Sequence, residues 1–101
     1  MSVYMTARWK ANPEAAGKVE DALREFVAAV KENEPHTHQY TALKSEAGEA
    51  TYMTYFIFED EAARDFHGAT DWVRRFTSVI YPENLGDIEF TSYELIASTD
   101  R

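Results

Sequence analysis

Three histidines are the only side chains in this sequence that titrate near neutral pH, because cysteine is absent. His36 and His38 stand two apart in "NEPHTHQY", and His67 closes "ARDFH". Residues at i and i+2 share one face of a strand, so His36 and His38 could act together. Two imidazoles fall short of the three protein ligands that a catalytic zinc usually takes, and no His-Glu-x-x-His pattern supplies more. The lack of cysteine also removes thiolate ligands, thiolate nucleophiles and disulfides. No metal is expected, and the pair reads as the start of a strand with His36 exposed. His67 is the strongest single candidate. Near a helix end beside apolar neighbours Ala63 and Phe66, it could serve as a base or donor in an apolar pocket. The plainer reading bonds it to a backbone carbonyl. Trp9, Trp72 and Phe76 could wall such a pocket, although each alone is more often core. Tyr55 and Tyr40 carry hydroxyls that want partners if buried. The set to place is therefore His67 as the catalytic group, with His38, Tyr55, Trp72, Trp9 and Phe76 around a ligand.

The elements that would position these side chains follow from periodicity. Val3, Met5, Ala7 and Trp9 alternate with Tyr4, Thr6, Arg8 and Lys10, which predicts a strand. Asn12 then suits an N-cap and Pro13 a first helical position. Val19, Ala22, Leu23, Phe26, Val27 and Val30 form one stripe of a helix that Pro35 ends. Glu14 with Lys18 and Glu20 with Arg24 read as favourable pairs on its outer face. A second strand spans about 37–45 and a third 51–58. Asp60 caps a second helix carrying Ala62, Ala63, Phe66 and His67, with Ala63 and Phe66 inward, which Gly68 interrupts. Residues 71–80 predict a further helix, and 88–96 a last strand. The order β-α-β-β-α-β gives a ferredoxin-like α+β fold. It has a four-stranded antiparallel sheet with helices on one face, in one domain over 1–101.

The net charge of −8 argues against nucleic acid or an anionic membrane as partner. No apolar run approaches a membrane span, and "MSVYMTARWK" lacks the layout of a signal peptide, so a cytoplasmic protein is expected. Aromatics make up 14% of the chain, more than one covered sheet face requires. In "TYMTYFIF" both faces of the third strand are apolar or aromatic, whereas a sheet with one wet face should alternate with polar residues. The uncovered face predicts a homodimer related by a twofold axis, with Arg8 at its interface or edge.

With those elements in order, the chain resembles the antibiotic biosynthesis monooxygenase domain family. In "ENEPHTHQY", Glu34, Pro35 and Tyr40 match the family pattern, with His36 where Gly is usual and His38 where an aliphatic residue is usual. In "YFIFEDEAARDFH", His67 matches, and in "WVRRF" Phe76 matches. Phe56 stands where the family often has a strand-three glutamate. The resemblance implies a dimeric α+β barrel. The family holds cofactor-free oxygenases of phenolic polycycles, quinol oxidases, haem-degrading enzymes, an isomerase and members without known activity, so fold alone does not choose among them. The haem-cleaving pattern is not expected, because Ala7, His67 and Thr77 occupy its Asn, Trp and His positions. Two readings follow. One is a monooxygenase needing no cofactor and acting on a small aromatic or quinol-type molecule. The other is a non-catalytic dimeric binding or stress-related protein.

Overall fold

A computed structural model describes residues 1–100. Its strands are β1 (Val3–Lys10), β2 (Thr37–Lys44), β3 (Thr51–Phe58) and β4 (Glu89–Tyr93). Its α-helices are α1 (Ala16–Asn33), α2 (Glu61–Gly68) and α3 (Asp71–Ile80). The strands form one antiparallel sheet in the order β2-β3-β1-β4, the ferredoxin-like arrangement expected from the element order.

The register assigns the faces. Met5, Ala7 and Trp9 of β1 stand opposite Phe56, Thr54 and Tyr52 of β3, and these side chains turn toward the helices. Val19, Ala22, Leu23, Phe26 and Val30 of α1 cover them, joined by Phe76 and Ile80 of α3. Asn12 does cap, its Oδ1 accepting from the Glu14 N–H at 3.2 Å, but it opens a single 3₁₀ turn, Pro13–Ala15, that runs into α1. Glu20 meets Arg24 at 3.9 Å, whereas Lys18 turns to Glu83 at 3.4 Å instead of Glu14.

Two expectations change. The last strand ends at Tyr93, not Ile96, because Tyr93 already pairs with Tyr4 near the start of β1, leaving Leu95 and Ile96 no ladder to join. Phe66 points outward and is 55% exposed, as α2 is short and Ala63 is its buried residue. The sheet's other face carries Tyr4, Thr6, Arg8, Met53, Tyr55 and Ile57, with Leu43 and Tyr93 half exposed. All three helices lie on the opposite side, so this face stays uncovered within one chain. None of the described helices is long and apolar enough to cross a membrane.

Candidate active site

The site begins where α1 stops. Glu34 is the C-terminal cap of α1, its N–H donating to the Val30 carbonyl at 2.9 Å. Pro35 excludes the helical conformation from the residue before it, so Glu34 turns out of the helix (φ −123°, ψ 80°). That turn carries its carboxylate inward, and the side chain is 1% exposed. A carboxylate so placed needs donors. Thr37, the first residue of β2, donates from Oγ1 to Oε1 at 2.7 Å. The Trp72 indole donates to Oε2 at 2.5 Å. His67 Nδ1 lies 2.9 Å from Oε1 and 3.0 Å from Oε2.

The α2–α3 corner brings His67 and Trp72 to the same carboxylate. Asp60 caps α2, accepting from the Ala63 N–H at 2.9 Å. Thr70 caps α3, accepting from the Val73 N–H at 3.3 Å, and its hydroxyl also donates to the His67 carbonyl at 2.9 Å. One buried threonine therefore ties the end of α2 to the start of α3 and sets the spacing of the two ring donors.

Burial alone would raise the Glu34 pKa. The bonds from His67, Thr37 and Trp72, together with the charge of His67, outweigh that and hold it below the usual carboxylate value. Ionised Glu34 accepts, so His67 presents a proton from Nδ1. Nε2 has no hydrogen-bond partner among the described residues. The imidazole sits in an aromatic box, with ring centres of Phe58 at 5.1 Å, Tyr40 at 5.5 Å, Phe26 at 5.7 Å and Phe56 at 6.4 Å. Tyr40 stacks on Phe56 at 4.8 Å. Burial pushes the Tyr40 hydroxyl far above the ordinary phenol value, so it stays protonated as a potential donor. A carboxylate-oriented imidazole with a free nitrogen in an apolar box can take a proton from a weakly acidic carbon or hydroxyl.

The other sequence candidates scatter around this cluster. Trp72 joins it directly. Phe76 reaches it through Phe26, on which it stacks at 4.5 Å. Trp9 lies further along the core, 6.2 Å from Phe76 and 5.6 Å from Tyr52, with its indole N–H buried and unpartnered. Tyr55 is on the uncovered sheet face, opposite Thr6 and Thr41, and does not meet His67. His38 is half exposed, with Nε2 3.7 Å from Glu59, whose other oxygen is 3.1 Å from His36. Among the described residues no group of three or more His, Cys, Asp or Glu side chains is arranged to hold a metal ion. The backbone-carbonyl reading of the His67 ring gives way to a carboxylate partner. Sequence reasoning matched Glu34 to a family pattern but assigned it no role. Its only local signal was an acidic residue at a helix C-terminus, directly before Pro35, where the helix dipole does not favour negative charge.

Two open grooves flank the cluster. One of about 530 Å³ runs between α1 and α3, past Phe26, Ala29, Trp72 and Phe76. The other, of about 420 Å³, lies between the α1–β2 turn and α2, bounded by Glu34, Pro35, Ala63 and Phe66. His67 lines neither.

Comparison with known proteins agrees with this architecture. No curated protein matches the chain. Among solved structures, a candidate antibiotic biosynthesis monooxygenase from Caulobacter crescentus superposes with a TM-score of 0.89 at 23% identity, covering 95% of this chain and 91% of its own. A similar candidate from Bacteroides thetaiotaomicron gives 0.91 at 17% identity, over 99% and 94%. A variant of SnoaB, a cofactor-independent oxygenase from Streptomyces nogalater, gives 0.83 at 13% identity, over 99% and 98%. At such identities these likenesses speak for the fold. The family model for antibiotic biosynthesis monooxygenase matches residues 2–78, more than half of the sequence, and the chain belongs to that family.

Proposed function

We propose that this protein is a monooxygenase requiring no cofactor, acting on a small, flat phenolic or quinol-type molecule. The observation that carries the reading is the pairing of buried Glu34 with partly buried His67, which leaves Nε2 unpartnered beside an aromatic box. His67 removes a proton from the substrate, and Glu34 stabilises the imidazolium that forms. The Tyr40 and Trp72 side chains and the surrounding rings hold the electron-rich anion away from water. That anion supplies all the electrons. When a ring methylene becomes a ketone, one atom of O₂ enters the carbonyl and the other leaves as water with the two hydrogens. The working form is a homodimer joined through the uncovered sheet face.

A second reading has its own support. His67 fills the space between its aromatic neighbours and lines neither groove, as it would in a binding protein without turnover. Incubation with a tricyclic anthrone under O₂, following O₂ uptake and quinone formation, separates the two. The enzyme reading expects turnover above buffer, falling about 10²–10⁴-fold in His67→Ala. Binding without turnover selects the second reading, and neither binding nor turnover removes this substrate class.

A further inference from the structure

The chemistry derived above leaves the groove between α1 and α3 unused, yet each of its walls shares a residue with the His67 cluster. The α1 wall is a stripe at helical spacing, Ala22, Glu25, Phe26, Ala29 and Glu32. The α3 wall repeats that spacing with Trp72, Arg75, Phe76 and Val79. The alanines make the space, because a methyl group does not reach across to the facing helix. At about 530 Å³ the groove falls within the roughly 300–1,000 Å³ of small-molecule sites. Its base is aromatic, with buried Phe26 and Phe76 stacked at 4.5 Å. Phe26 also meets the His67 imidazole at 5.7 Å, and Trp72 donates to Glu34.

The charged groups along this groove are unpaired. The Arg75 guanidinium has no hydrogen-bond or ion-pair partner among the described residues, and neither have the carboxylates of Glu25 and Glu32 on the facing wall. Other exposed arginines do pair, Arg24 with Asp21 at 3.0 Å, Arg64 with Asp65 at 3.5 Å and Arg74 with Asp71. In a chain of net charge −8, an arginine that shares a groove with two carboxylates and pairs with neither is free to take an acceptor from outside. The carboxylates only accept, so their edge suits hydroxyl donors and repels anions. The match is a neutral, flat ring system with a carbonyl toward α3 and hydroxyls toward α1.

We infer that the α1–α3 groove binds a hydroxylated aromatic ketone, its carbonyl oxygen on the Arg75 guanidinium, its hydroxyls on Glu25 and Glu32 and its ring against Trp72. The aromatic part of that ligand class rests on the functional reading above, whereas the polar match rests on the groove alone. Recognition here does not require turnover.

Titration calorimetry with a dihydroxyanthraquinone whose hydroxyls lie on its outer edges, at a pH that keeps them protonated, tests the assignment. Arg75 is exposed, so Arg75→Ala should keep the wild-type melting temperature. It should weaken binding about ten-fold or more, the effect of losing a hydrogen bond to a charged group. Arg75→Lys, which keeps the charge without the planar fork, should fall between the two. Ala29→Phe, filling the groove from its α1 wall, should abolish binding while circular dichroism stays native-like. Anthraquinone without hydroxyls should bind wild type more weakly than the dihydroxy compound, and that difference should vanish when Glu25→Ala and Glu32→Ala are combined. Equal binding by wild type, Arg75→Ala and Ala29→Phe would overturn the groove while leaving the substrate class, since the ligand then sits elsewhere. A wild type that binds neither compound would overturn both. Ala29→Phe altering the sedimenting mass instead of ligand binding would make the groove an interface between chains and overturn the inference too. The expected pattern of binding without O₂ uptake from an anthrone keeps the groove and rejects the enzyme reading.

Discussion

Glu34 is the residue on which the site depends, because three side chains from three elements donate to its carboxylate. Removing the acceptor strands buried donors, each at a cost of about 1–3 kcal/mol. Glu34→Ala should therefore lose at least about 3 kcal/mol in urea unfolding, whereas Glu34→Gln, which keeps one acceptor oxygen, should lose less. The pH dependence follows from the sign of the shift. The folded pKa of Glu34 lies below the unfolded value of 4.5. Its stabilisation is thus complete above 4.5 and is lost as pH falls through the folded value. Glu34→Gln should flatten that acid limb in a plot of melting temperature against pH. At the alkaline end the sign reverses. Burial, with the Glu20 carboxylate 2.9 Å away, pushes the Tyr52 hydroxyl up to about 12 from 10.0, so stability is lost as pH rises between those values. Tyr52→Phe should weaken the decline over that range, and an unchanged profile would mean the decline arises elsewhere.

Among the elements, the α2–α3 corner matters most. Thr70 caps α3 and holds the end of α2 with the same hydroxyl, so it fixes where His67 and Trp72 stand relative to each other. Thr70→Ala should cost about 0.5–2 kcal/mol, the usual worth of an N-cap. Its effect on turnover should be larger than that figure implies, because loosening the corner misplaces His67. Thr70→Ser keeps the oxygen and should restore most of both properties. If it restores stability but not turnover, the corner sets stability alone. Gly68 marked this break in the sequence, and Asp71 with the spaced apolar residues after it marked α3. Phe66 was misassigned because it lies three residues after the inward Ala63, on the spacing of a helical face, and an eight-residue helix has too few turns to define its buried side.

The whole molecule is organised by a sheet with two unlike faces. One is sealed by helices, and the other displays Leu43, Met53, Tyr55, Ile57 and Tyr93 to solvent. Thr6, Thr41 and Thr91, with Arg8, Gln39 and Glu89, interrupt that surface. A homodimer on this face should bury more than about 1,200 Å² in total, within the range of specific interfaces. Sedimentation equilibrium at micromolar concentration should give twice the chain mass, and Tyr55→Lys should shift it toward the monomer while circular dichroism stays native-like. A wild-type monomer at that concentration would exclude this assembly. In that assembly Tyr55 would lie at the joint between subunits, away from the His67 box.

The sequence by itself determined the strands and helices, their order and the family. Alternation at β1 and β3, the stripe on α1, and Asp60 and Pro35 at element ends are local signals, each read within a few residues. The same patterning marks an apolar second sheet face. Only the tertiary structure assembled the candidate site. Glu34 meets His67 across 33 positions and Trp72 across 38, and no periodicity encodes contacts at such separations. It also decided that β4 stops at Tyr93, since a strand ends where its partner ends. His67 was legible as a residue, but its proton, its carboxylate and its aromatic box were not. Those depend on which side chains the packing of α1, α2 and α3 on the sheet brings together, and on the loss of water that makes a buried carboxylate bind every donor in reach.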